Sequence, residues 1–330
     1  MTTTGHVIAL CGGVGGAKLA FGLTRVLAPD DLTIVVNTAD DFEHLGLLVE
    51  PDIDTVIYTL AGLSDRRRGW GLAGETWNFL DAMKRLGGET WFALGDRDLA
   101  THVERTRRLR AGETISQITA AFAAAQGIVH PLVPMSDQPI RTIVETEEGP
   151  LSFQRYFAGE HCRPVTRAVR FEMAPDTQAS AGFRDVLARD DIAAVILCPS
   201  NPYLSIDPIL AVPGVRAALE RLDAPIVAVS PIIGGEALKG PAAKLMTELG
   251  VTPGVLAVAD HYRGMLGGLV IDRADKADAA ALRTRGVEPL VTRAVMKSDA
   301  DRERLARETL ELALGLGEGA AQRRAQGRLR

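Results

Sequence analysis

Val7-Ile8-Ala9-Leu10-Cys11-Gly12-Gly13-Val14-Gly15-Gly16-Ala17-Lys18 decides how this chain is to be read. Five consecutive apolar residues describe a strand buried on both faces, as in a parallel sheet. Four glycines then permit a tight turn and a close approach of backbone to a ligand. From Ala17 to Leu27, apolar residues recur at Leu19, Ala20, Leu23, Val26 and Leu27, which is helical spacing. Strand, glycine turn and helix N-terminus make an anion site, because unpaired N–H groups and the helix dipole point into the turn. The expected ligand is a phosphate or diphosphate. The motif is not the dinucleotide fingerprint, since Lys18 stands where a third glycine belongs, and it lacks the Gly-Lys-Ser/Thr of a Walker loop. Its plain alternative is a turn that only packs helix on sheet. Lys18 weighs against that, because a cation in the first helical turn opposes the dipole unless an anion is bound.

With 330 residues the chain can bury a large core in one or two domains. Its 46% hydrophobic and 24% charged residues are those of a soluble globular protein. No apolar run approaches membrane-span length and the N-terminus lacks a signal pattern, so a cytoplasmic protein with no membrane association is expected. The net charge of -5 argues against general nucleic-acid binding. Cys11, Cys162 and Cys198 are odd in number and far apart, and two sit in apolar strand patterns, so buried thiols are expected rather than disulfides.

A second apolar strand, 32–36, runs into Asn37-Thr38-Ala39-Asp40-Asp41. Acids at the C-terminal end of a strand beside the glycine turn fall where open α/β sheets bind ligands. Asp40 and Asp41 offer oxygen ligands to a divalent metal, or an Asx turn. Pro51-Asp52-Ile53-Asp54 opens a helix, with acids suited to its N-terminus. Asp65-Arg66-Arg67-Arg68-Gly69-Trp70-Gly71 is a basic loop with an aromatic, able to meet phosphate or a planar ring, or simply a solvated charge run. Leu94-Gly95-Asp96-Arg97-Asp98 follows an expected strand at 90–94 and sets two carboxylates around one arginine. Helices are expected at 101–110 and 114–126.

Pro134-Met135-Ser136-Asp137 contacts ligand or builds a turn. Alternation from Arg141 to Glu172 predicts antiparallel hairpins. A further buried strand ends in Pro199-Ser200-Asn201-Pro202, where Asn201 suits a nucleobase edge. Strands are expected at 226–230, 255–259 and 269–271, and a closing helix at 299–314. The fold class is α/β: a Rossmann-like, mainly parallel sheet flanked by helices, with an inserted helical segment at about 55–130 and antiparallel hairpin additions. Residues 1–314 read as a single domain, and 315–330 as a disordered tail.

Taken together and in order, these motifs, with Pro51-Asp52-Ile53-Asp54-Thr55 and Ser230-Pro231-Ile232-Ile233-Gly234 among them, resemble the 2-phospho-L-lactate transferase family of coenzyme F-420 biosynthesis. The resemblance runs from about Val7 to Leu314. It implies transfer of a phospho-acid (2-phospholactate, phosphoenolpyruvate or phosphoglycerate) from a guanosine diphosphate donor to the terminal ribityl hydroxyl of the deazaflavin Fo, with release of GMP. It further implies magnesium (Mg2+) on Asp40, and a homodimer. The acceptor Fo is implied among Asp54 and Arg97, with Asp96, Met135, Ser136 and Asp137. The nucleotide and its phosphates are implied at Gly12, Gly13, Val14, Gly15, Gly16, Lys18, Ser200, Asn201 and Pro202. Asp40, Asp54 and Lys18 are the expected catalytic groups, Lys18 meeting phosphate charge and Asp54 orienting the attacking hydroxyl. Many archaeal relatives carry threonine where Val14 stands, so no hydroxyl reaches phosphate from that position. Two other readings compete: a nucleotide-sugar-binding regulatory protein of the gluconeogenesis-factor type, and a nicotinamide-dependent dehydrogenase, the latter weakened by the missing fingerprint.

Overall fold

A computed structural model describes residues 5–327 of the chain, with side chains to residue 319. Seven parallel strands form the central sheet: β1 His6–Cys11, β2 Leu32–Val36, β3 Leu132–Pro134, β4 Ile192–Leu197, β5 Ile226–Val229, β6 Gly268–Asp272 and β7 Glu288–Thr292. Their spatial order is β7-β6-β5-β4-β1-β2-β3. The chain leaves β1 outward through β2 and β3, then returns to β4 on the other side of β1 and proceeds outward again. The β1/β4 boundary is therefore the switch point, where an open sheet leaves a crevice at the strands' C-terminal ends.

The two-residue period of the strands divides the core into two layers. Val7, Ala9 and Cys11 of β1 face helix α1 (Gly13–Val26), helix α2 (Pro51–Leu60) and the C-terminal helix Asp299–Gly327, meeting Leu19, Leu23, Ile53 and Leu305. Ile8 and Leu10 face the opposite layer with Phe183, Ile209 and Val258. Each such side chain, fully buried, contributes roughly 1.5–3 kcal/mol of transfer free energy. A strand buried on both faces has to be apolar throughout, which is why β1 shows no alternation.

Between β2 and β3 the crossover carries α2, α3 (Asn78–Arg85), α4 (Asp96–Arg110) and α5 (Ile115–Ala125). The alternating segment forms a separate three-stranded antiparallel sheet, with 140–146 between 149–152 and 166–173.

Several expectations are corrected. Residues 255–261 form a helix, not a strand; an apolar run of five reads the same in both periods, and Gly254 caps it as a helix. Residues 90–95 are irregular, and α4 begins at Asp96 rather than Thr101. Edge strand β7 was not expected, because Glu288 and Pro289 hide it. The closing helix continues through the segment read as a disordered tail, as far as Gly327. That stretch is rich in Ala, Gln and Arg, good helix formers that outweigh its glycines. Residues 328–330 lie outside the described residues.

Candidate active site

Helix α1 starts inside the glycine run, with Gly12 as its N-cap and no side-chain cap. Its first-turn amides have no intrahelical acceptors. Two are taken by side chains: Gly12 N–H donates to Ser200 Oγ at 3.1 Å and Gly13 N–H to Asp52 Oδ1 at 2.7 Å. No side chain among the described residues takes the Val14 or Gly15 amide. The glycines are needed for different reasons. Gly13 has φ +64°, in the left-handed region. A Cβ on Gly15 would lie 2.2 Å from the Pro199 carbonyl, and one on Gly16 2.5 Å from Ser200 Oγ. Ser200, whose hydroxyl also donates to the Gly12 carbonyl at 2.9 Å, thus clamps the turn to the end of β4. Lys18 Nζ rests 3.4 Å from the Met296 carbonyl. Burial, then the nearby Lys239 and Arg302 charges, push its ammonium below the usual lysine range.

On the far side of this turn, five carboxylates lie buried together at the end of β2 and the start of α2: Asp40, Asp41, Glu50, Asp52 and Asp54. Asn37 organises them, donating to Asp52 Oδ2 at 2.9 Å while its Oδ1 accepts from Ala39 N–H at 3.0 Å. Asp40 Oδ1 and Asp41 Oδ1 are buried with no hydrogen-bond partner. Burial pushes the Asp40 carboxyl well above the usual carboxylate range, and Asp52 adds to it. Asp41 moves the same way through burial and then Glu50. Burial raises Asp52 to about 6 and Glu50 to about 7. Buried carboxyls with open oxygens fit a hard, oxygen-seeking divalent cation, which would compensate their charge.

Asp54, three residues along α2 from the proline, is committed elsewhere. Both its oxygens accept from the guanidinium of Arg105 on α4, Oδ2 at 3.1 Å. Arg105 Nε also lies 2.9 Å from Glu50 Oε2. His102 completes the group, its Nδ1 3.1 Å from Arg105 Nη1 and its Nε2 3.5 Å from Asp98 Oδ1.

The other acids and amides of the sequence motifs are distributed differently. Asp96 accepts from Thr76 Oγ1, Asn78 N–H, Asn78 Nδ2 and Phe79 N–H, which caps α3. Arg97 is exposed and donates to the Ala73 carbonyl at 2.7 Å. Asp137 accepts from Ser116 N–H at the start of α5. Ser136 donates to the Gln178 carbonyl and accepts from Gln138 N–H, and Met135 is fully buried. Asn201 accepts from Tyr203 N–H through Oδ1 at 3.0 Å, while its buried Nδ2 has no partner. Pro202 follows it, buried. In the basic loop, Arg68 lies 4.5 Å from the Trp77 ring centroid and Arg66 pairs with Asp299.

The fold thus brings the glycine turn, Asn37–Asp41, the start of α2 and Pro199–Pro202 to the C-terminal ends of β1, β2 and β4. Arg97 lies in the neighbouring crossover at the start of α4, and the 134–137 segment continues from the end of β3, where Met135 N–H donates to the Val36 carbonyl at 2.9 Å. Sequence reasoning missed Glu50, His102 and Arg105. Glu50 precedes a proline, where a helix cap is the ordinary expectation, and Arg105 is one of five arginines in α4. Nothing local distinguishes it.

Comparison with known proteins gives one consistent family. The family profile described as 2-phospho-L-lactate transferase CofD matches residues 7–312. A 2-phospho-L-lactate transferase of Methanosarcina acetivorans is 37% identical over 310 residues, covering 94% of this chain and 98% of the relative. A phosphoenolpyruvate transferase of Kitasatospora aureofaciens is 38% identical over 315 residues, covering 93% and 98%. Among solved structures, a member of the upf0052 family from Bacillus halodurans superposes with TM-score 0.61 at 15% identity, covering 94% of this chain and all of that one. This last likeness concerns the fold.

Proposed function

The chain belongs to the 2-phospho-L-lactate transferase family, and from that premise we propose that it transfers a phospho-acid from a guanosine diphosphate donor to the deazaflavin Fo, releasing GMP. The reading is supported above all by one observation: free first-turn amides of α1 stand across Gly13 and Asp52 from buried carboxylates with unpartnered oxygens. An anion and a cation are both called for, side by side, as a metal-bound diphosphate provides.

In the proposed reaction the terminal ribityl oxygen of Fo bonds to the phosphorus nearer the organic acid. The bond from that phosphorus to the bridging oxygen breaks, GMP leaves with that oxygen, and the hydroxyl proton passes to solvent. Such transfers depend on positioning and charge more than on a strong base. The Val14 and Gly15 amides and Lys18 bind the diphosphate and stabilise charge on its oxygens. Asp40 and Asp41 would hold magnesium, which would supply Lewis-acid charge beside the diphosphate. Ser200 and Asp52 hold the turn in register, and Asn201 offers Nδ2 to an acceptor on the guanine edge. Asp54 is a positioning residue in this scheme, because its oxygens are engaged by Arg105. Arg97 faces Fo from a backbone fixed by Glu75, which accepts from the Arg97 and Asp98 amides, with Met135, Ser136 and Asp137 shaping that side. A cytoplasmic homodimer is part of the same proposal, taken from the family resemblance.

Relatives named for 2-phospholactate and for phosphoenolpyruvate are equally similar to the chain, so the donor's acid is identified from the product. Purified protein is incubated with Fo, magnesium and lactyl, enolpyruvyl or glyceryl diphosphoguanosine, and GMP and the deazaflavin phosphodiester are quantified by mass spectrometry. One donor is expected to give both in equal amounts. No GMP from any donor, with tight binding of a uridine sugar nucleotide instead, refutes the reading in favour of a regulatory binding protein.

A further inference from the structure

Arg105 is only 1% exposed, yet it touches three titratable groups: Asp54 through both terminal nitrogens, Glu50 through Nε at 2.9 Å, and His102 Nδ1 at 3.1 Å. Beside the guanidinium, two of these neighbours join Asp98 in a metal-ligand set. Asp54, Asp98 and His102 each present a donor atom, and these atoms lie within 4.8 Å of one another. Glu50 Oε1 is buried without a hydrogen-bond partner, and His102 Nε2 has the Asp98 carboxylate 3.5 Å away. Two carboxylates and an imidazole in a dry pocket suit manganese or a similar divalent ion. An arginine there differs in one respect that matters: it is permanently charged, cannot dissociate, and is covalently tied to α4.

We propose that the Arg105 guanidinium, held by Glu50, Asp54 and His102, is a built-in cation that takes the place of an ion at the Asp54–Asp98–His102 set, so that the acid cluster keeps one exchangeable cation site, at Asp40 and Asp41. The second half of this statement rests on the magnesium reading above; the first half does not. Arg105 is then a positioning residue. It fixes the first turn of α2, from which Asp52 holds the Gly13 amide, and it keeps two of the five acids from competing for the exchangeable ion. A merely structural ion pair between α4 and α2 would hold the helices together but would not conceal a metal site.

The difference is measured by manganese titration of chelator-stripped protein, with free ion followed by electron paramagnetic resonance. Wild type is expected to bind one Mn2+ per chain. Arg105→Ala and Arg105→Gln are expected to bind two, and the second is lost again when His102→Ala is added. Mn2+ is also expected to raise the melting temperature of Arg105→Ala several-fold more than that of wild type, because the ion takes over the missing charge. Arg105→Gln stands in should Arg105→Ala fold poorly. Folded Arg105→Gln with an unchanged stoichiometry overturns the proposal, as does wild type binding two ions. Wild type binding none, with a site gained on Arg105→Gln, supports the built-in cation and sinks the magnesium reading alone.

Discussion

Two acidic turns of this molecule look alike in sequence and differ in what surrounds them. Asn37-Thr38-Ala39-Asp40-Asp41 follows strand β2, and Gly95-Asp96-Arg97-Asp98 opens helix α4. Asp96 accepts four hydrogen bonds, and these, the Thr76 hydroxyl first, hold its carboxyl down to about 2. Asp40 is buried, keeps an unpartnered oxygen, and is pushed the opposite way by burial and Asp52. One carboxylate spends its charge on folding, and the other costs folding free energy and calls for a ligand. The residue type carries no sign of this; the neighbours do.

The largest effect that tests the contrast is on turnover. Asp40→Asn preserves shape but removes the buried negative charge from the proposed cation site, so kcat is expected to fall roughly 10²–10³-fold. Without added metal, the melting temperature is expected to hold or rise, since a poorly compensated charge has gone. Parallel activity and melting measurements decide the point. Full activity with normal magnesium dependence would remove Asp40 from the site.

Next comes pH. Glu50 rises from 4.5 to about 7 and Asp52 from 3.8 to about 6 on folding. Between the unfolded and folded values the native chain holds more protons than the unfolded one, so stability declines as pH increases. In chelator, the protein is expected to lose stability on the order of 5 kcal/mol from pH 4 to pH 7.5 through these two groups, and through them to change little beyond. Magnesium is expected to recover most of that loss at pH 8 and little at pH 5. Urea titrations at both pH values, with and without magnesium, measure it. A flat profile would mean that another cation already compensates the cluster.

How far the sequence revealed this follows the same division. The buried strands β1, β2 and β4 were legible because a sheet covered on both faces demands unbroken apolar runs. Their ends marked the crevice, and Gly12–Gly16 the turn into α1 beside it, where Gly13 takes a positive φ and Gly15 and Gly16 pack against Pro199 and Ser200. What escaped notice depended on partners far along the chain. Glu50 and Arg105 are fifty-five positions apart, and only the docking of α4 on α2 joins them. Val255–Ala259 was misread for a local reason, its short apolar run fitting strand and helix equally. The family resemblance implies Asp96 and Asp137 beside the acceptor; the helix that each caps is visible only in the structure.

Replacing Asp96 therefore sharpens the comparison from the other side. Asp96→Ala is expected to lower stability by about 1–2 kcal/mol through loss of the α3 cap. Activity per folded molecule is expected to stay within about threefold, because the carboxylate has no oxygen to spare. Chemical denaturation and the KM for Fo are the readouts. A tenfold rise in that KM with unchanged stability would return Asp96 to the acceptor surface.

Asn201 contains both halves of the contrast in one side chain, and its replacement carries the smallest expected effect. Its Oδ1 is employed, accepting from Tyr203 N–H, while its buried Nδ2 donates to nothing in the protein. Asn201→Asp keeps an oxygen for Tyr203 and removes the donor. Asn201→Ala removes both. If Nδ2 meets an acceptor on guanine, the aspartate variant should retain wild-type stability and raise the donor's KM by up to about tenfold, the cost of one lost hydrogen bond. The preference for guanosine over adenosine donors should shrink with it, because O6 and N7 accept on guanine whereas adenine presents an amino group at the O6 position. The alanine variant should show the same KM change together with a lower melting temperature. Unchanged selectivity in both would move base recognition to the loop at 230–235, where the Ser230 hydroxyl already bonds its own backbone at Ile232 and only main-chain groups are left to read a base.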